Sequence, residues 1–98
     1  EAGFEVHVYE MMDKPGGMMV WGIPGFRLPP GIIAEDMKRM FKHCPGIHLH
    51  CGVTLGKDVS LDELKQRHAA VLLTIGSWWG KPMGIPGDAH SGIISGVR

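Results

Sequence analysis

Residues 11–29 constrain this chain more than any other stretch. They carry no hydrophobic period, and they hold two tight clusters of turn formers, Pro15-Gly16-Gly17 and Gly22-Ile23-Pro24-Gly25. An ordinary reverse turn needs four residues. A loop of this length inside a compact domain is uncommon unless it is shaped for a purpose. Fifteen glycines and seven prolines in 98 residues exceed the usual combined share of about 12%. They gather in 15–31, 45–56 and 76–96, which predicts shaped loops between regular elements rather than low-complexity sequence.

The segments on either side set the fold class. Glu5–Glu10 alternates, with Val6 and Val8 on one face, and reads as a short strand. Glu1–Phe4 reads as the tail of a helix closed by Gly3. The opening is thus the second half of a βαβ unit. Ile32, Ile33, Met37, Met40 and Phe41 recur at helical spacing after Pro30, and Cys44-Pro45-Gly46 ends that helix. Ile47–Cys51 alternates as a second strand, with Val53-Thr54-Leu55 expected to continue it beyond Gly52. Ser60 and Glu63 form a capping box for a helix over Leu61–His68. Ala69–Ile75 is an apolar run suited to a strand buried on both faces, and Gly92–Ser95 is a candidate short strand. The order strand, long loop, helix, strand, helix, strand is α/β with a parallel component. Starting at Glu1 and stopping at Gly96-Val97-Arg98, residues 1–98 read as a fragment of something longer.

Ten basic residues balance ten acidic ones, so charge gives no reason to expect nucleic acid or an anionic membrane as partner. No apolar run approaches the ~20 residues of a membrane-spanning helix, and no signal-peptide pattern is present. Two cysteines seven residues apart define no disulfide framework, and a reduced cytoplasmic setting is expected.

An acid that ends a strand is by itself a solvated carboxylate. In a dinucleotide-binding βαβ unit, however, an acid at the end of the second strand accepts hydrogen bonds from the adenosine ribose. Glu10 stands at that place. Behind it, Gly16 and Gly17 can bring backbone close to a pyrophosphate, Gly22 opens the second cluster, and Arg27 adds a fixed cation. Lys14 has two readings, a phosphate partner or a solvent-exposed turn lysine.

The run Tyr9-Glu10, Lys14-Pro15-Gly16-Gly17, Gly22-Ile23-Pro24 and Phe26-Arg27-Leu28-Pro29 resembles the small (beta) subunit family of NADPH-dependent glutamate synthase. Val53, Gly56-Lys57-Asp58, Leu61–Leu64, Thr74-Ile75-Gly76 and Gly84-Ile85-Pro86-Gly87 extend the resemblance in colinear order. It implies a partial Rossmann-like FAD-binding domain of the adrenodoxin-reductase-like type. The G-x-G-x-x-G unit and the NAD(P)H-binding domain would lie outside these residues. The implied activity is an FAD-dependent NAD(P)H oxidoreductase that passes electrons through FAD to iron–sulfur clusters or a partner subunit. By position, Glu10 would hold the adenosine ribose, and Gly16, Gly17 and Met18 would line the FAD. Arg27 and Leu28 would sit near the pyrophosphate and ribityl region, and Val53 would meet adenine. Thr74, Ile75 and Gly76 would close over the cofactor. No side chain is expected to act as acid, base or nucleophile.

A different class of reading is a non-catalytic piece that pairs with itself or a partner chain, because an incomplete sheet leaves an open edge. His43–Cys51 also invites a metal site, since histidine and cysteine are preferred zinc ligands. Alternation puts His48 and His50 on one face and Cys51 on the other, so a solvated strand face is expected and no metal ligand is assigned. Trp78-Trp79 is expected to pack against other parts of the parent enzyme, and Met18 and Met19 are the methionines placed for flavin contact.

Overall fold

The computed structural model describes residues 2–96. The two alternating segments become strands β1 (Val6–Glu10) and β2 (Ile47–Cys51), which pair in parallel. Their register sets Val6 beside Ile47, His7 beside His48, Val8 beside Leu49, Tyr9 beside His50 and Glu10 beside Cys51. One face of the ribbon therefore carries His7, Tyr9, His48 and His50, and the other carries the aliphatic residues.

Helix α1 (Met18–Trp21) interrupts the loop expected over 11–29. One helical turn forms there because the Gly16 and Gly17 carbonyls accept from the N–H groups of Met19, Val20 and Trp21. Helix α2 (Pro30–His43) crosses from β1 to β2. Pro30 occupies its first turn, where a missing N–H costs nothing. Lys42 and His43 lie in its last turn, where positive charge suits the helix dipole. The Cys44 N–H bonds back to the Met40 carbonyl and closes it.

Helix α3 (Leu61–Arg67) has the expected capping box in full, with His68 as the residue beyond its end. Buried apolar side chains among the described residues are few: Ile33 from α2, Val59 before the cap, and Leu64 from α3, each 6% exposed. The radius of gyration is 17.4 Å, against roughly 13 Å for a compact chain of this length. The described residues therefore do not close around one core.

Several expected elements are absent. Ala69–Ile75 forms no strand, and Leu72 is 87% exposed rather than buried on both faces. An extended run becomes a strand only when a neighbour satisfies its backbone, and the sheet described contains β1 and β2 alone. Gly92–Ser95 likewise forms no strand. Beyond Gly52, a bridge from Leu55 to Val59 replaces the expected continuation of β2. Ala2–Phe4 is not helical, and Glu1, the rest of the expected helix tail, lies outside the described residues. No helix among the described residues is long and apolar enough to cross a membrane.

Candidate functional site

Three hydrogen bonds tie down the C-terminal end of β1. The half-buried Glu10 turns its carboxylate back onto the chain, and its Oε1 accepts from the Met12 N–H at 2.9 Å. The Glu10 carbonyl accepts from the Val53 N–H at 3.0 Å, and the Met12 carbonyl from the Gly52 N–H at 3.0 Å. Glu10 and Val53, 43 positions apart in sequence, are thus held side by side because parallel pairing continues into the loops beyond both strands. A carboxylate has about four lone-pair sites, so one backbone donor leaves capacity for further donors.

The glycine turn follows directly. Lys14 is exposed and Pro15 half-buried. Gly16 and Gly17 have φ of +124° and +51°, values that L side chains rarely adopt. A Cβ on Gly16 would collide with the Val20 side chain, whereas one on Gly17 would meet nothing within 4 Å. Gly16 is therefore required by packing of the loop on α1, and Gly17 by conformation alone. Met18 is exposed, and its side chain folds over Gly22. The Pro24 carbonyl accepts from the N–H groups of Arg27 and Leu28 at 2.9 and 3.2 Å, which brings the chain round to α2. Arg27 is exposed and Leu28 half-buried.

Two sets of predicted residues thus differ in placement. Glu10 and Val53 are joined by a hydrogen bond, and the turn from Lys14 to Leu28 follows Glu10 closely in sequence. Thr74, Ile75 and Gly76 are exposed and tied locally, with Trp78 Nε1 donating to the Ile75 carbonyl at 2.6 Å. No hydrogen bond among the described residues links them to Glu10 or Val53. The role of Met12 and Gly52 in fixing this corner has no signal in the sequence, since it depends on strand register.

An acceptor at a strand end, a partnered backbone loop beside it and a positive-φ glycine turn form a donor and acceptor set that suits a ribose diol and a phosphate. Comparison with known proteins gives this corner its context. No protein-family model matches the chain. It is 35% identical over 95 residues to the glutamate synthase [NADPH] small chain of Azospirillum brasilense, covering 97% of this chain and 19% of that protein. The chain is a homologue of that oxidoreductase subunit.

Related subunits show the same breadth of match. The NAD-dependent dihydropyrimidine dehydrogenase subunit PreT of Escherichia coli O157:H7 is 36% identical over 91 residues, covering 93% of this chain and 21% of the subunit. The NADP(+)-dependent formate dehydrogenase subunit beta of Moorella thermoacetica is 31% identical over 98 residues, covering 98% of this chain and 14% of the subunit. The chain spans about a fifth or less of the length of these relatives, and the match runs through the Glu10 corner, the glycine turn and α2 alike.

Proposed function

We propose that this chain is the FAD-binding part of an oxidoreductase that passes electrons from NAD(P)H through FAD to iron–sulfur clusters or a partner subunit. The observation that carries this reading is the Glu10 corner: a half-buried carboxylate held at the end of a parallel strand, bonded to the loop that presents Val53 and followed at once by a Gly-Gly turn. Glu10 would accept from the ribose hydroxyls, and Val53 would contact adenine. Lys14, Gly16, Gly17, Met18 and Gly22 would line the cofactor, with Arg27 and Leu28 near its pyrophosphate. Thr74, Ile75 and Gly76 would cover it. Bound there, FAD would supply the hydride and electron chemistry, while the chain supplies orientation and electrostatics. NAD(P)H and the clusters would be held by other parts of the parent protein or its partners. Two free thiols, Cys44 and Cys51, suit a reducing cytoplasmic setting.

The test is FAD uptake by the purified chain, read from bound-flavin absorbance near about 450 nm. Glu10→Gln is expected to weaken uptake roughly 10- to 100-fold, because a hydrogen bond to a charged acceptor contributes about 1.5–3 kcal/mol. A chain that takes up no added FAD refutes the reading.

A second reading rests on a separate observation. Phe4, Phe26, Leu72 and Ile94 are all largely exposed, as are both residues of Trp78-Trp79 in good part. Apolar side chains exposed in this number favour a covering surface, either a second copy or a partner chain. Light scattering distinguishes the cases, and a monomer at all concentrations removes self-association.

A further inference from the structure

Strand register assembles a side-chain cluster on the polar face of the sheet, remote in role from the Glu10 loop. His7 and His48 are direct cross-strand partners, and Glu5 lies two residues before His7, on the same face. The Glu5 carboxylate Oε1 is 2.9 Å from His48 Nε2. The rings of His7 and His48 lie 4.8 Å apart and nearly parallel. One carboxylate oxygen and two imidazole nitrogens, from Glu5, His7 and His48, all fall within 4.8 Å of one another.

We propose that Glu5, His7 and His48 form a binding site for a divalent transition-metal ion of the zinc type. Zinc takes imidazole nitrogen and carboxylate oxygen at about 2.0–2.2 Å, so tetrahedral ligands sit roughly 3.4 Å from one another. The cluster reaches that spacing by side-chain adjustments of about 1.4 Å or less from the 2.9 Å and 4.8 Å limits. Metal-bound imidazoles are commonly fixed by a hydrogen bond from the other ring nitrogen. His50 supplies such a contact, with its Nε2 3.0 Å from His7 Nδ1. Around the cluster, Tyr9 stacks on His50 with ring centres 4.9 Å apart, and Tyr9 OH lies 3.3 Å from His68 Nε2. Four of the six histidines thus share one surface. The Glu5 and His48 side chains are 70% and 43% exposed, which gives an ion a path from solvent and leaves a coordination position for water. A set of two histidines and one carboxylate suits zinc and its first-row neighbours, not magnesium, which prefers oxygen ligands throughout.

Calorimetric titration of the metal-stripped 98-residue chain at neutral pH is expected to show one zinc per chain and no magnesium uptake. His7→Ala and His48→Ala should each weaken zinc uptake at least tenfold, while a Cys44→Ser/Cys51→Ser double variant should bind as the parent chain does. Imidazole NMR of the unsubstituted chain is the readout that survives a folding defect in either variant: zinc should shift the His7 and His48 ring signals, and leave His90 unmoved. No zinc uptake overturns the proposal. So does uptake that the thiol variant loses or that His48→Ala retains.

Discussion

Replacing Ser60 with alanine isolates one device that the structure describes fully. The Ser60 hydroxyl accepts from the Glu63 N–H at 3.2 Å and donates to Glu63 Oε2 at 2.9 Å, while the Ser60 N–H donates to the same oxygen at 2.8 Å. Alanine removes both hydroxyl bonds and keeps the backbone one. Loss of a capping side chain costs about 1 kcal/mol, within a range of roughly 0.5–2. A seven-residue helix is marginal alone, and α3 carries Leu64, one of the few buried side chains, so the loss should reach beyond the helix. About 1 kcal/mol is a factor of about five in the folded-to-unfolded ratio. The assay is urea unfolding followed by far-UV circular dichroism, at neutral pH and in acid. Glu63 is held below the ordinary carboxylate range, first by the Ser60 backbone N–H, then by its hydroxyl, with Arg67 adding and burial opposing. A depressed carboxylate stabilises the fold above its unfolded value, and that stability fades as pH falls through the folded one. Acid should therefore narrow the gap between Ser60→Ala and the parent chain. Equal urea midpoints at neutral pH, or a gap that widens in acid, would refute this reasoning.

Two glycines should respond in opposite directions to alanine. Gly16→Ala introduces both an unfavourable φ and a collision with Val20, and should destabilise by about 1–3 kcal/mol in thermal unfolding. Gly31→Ala, in the first turn of α2 with nothing within 4 Å of the added methyl, should stabilise by about 0.4–1 kcal/mol. Leu64→Ala should cost about 2–5 kcal/mol by the same measurement.

Local signals carried much of the fold. Pro30 and the Cys44-Pro45 stop bracket α2, and Ser60 with Glu63 marks α3, because capping and proline chemistry act over three or four residues. Glu10 and the Gly16-Gly17 turn were legible for the same reason, and the structure adds the bonds to Met12 and Val53. Ala69–Ile75 misleads because strand formation depends on a neighbour, which a run of apolar residues cannot specify. The Glu5, His7 and His48 cluster was hidden for a related cause. Reading His43–Cys51 along the chain separates its histidines from its cysteines, whereas the other members of the cluster stand across the sheet, His7 on β1 and Glu5 just before it.

The pairing of β1 with β2 also bears on how fast this chain can fold. Its partners are 41 positions apart, Val6 with Ile47, and parallel strands cannot be joined by a tight hairpin. Closing so long a segment takes its entropic cost before any strand bond repays it. Formation of α2 shortens the intervening chain, since each helical residue advances only about 1.5 Å. The sheet is accordingly expected to form after α2, and the corner that joins Glu10 to Val53 becomes one of the last features to assemble.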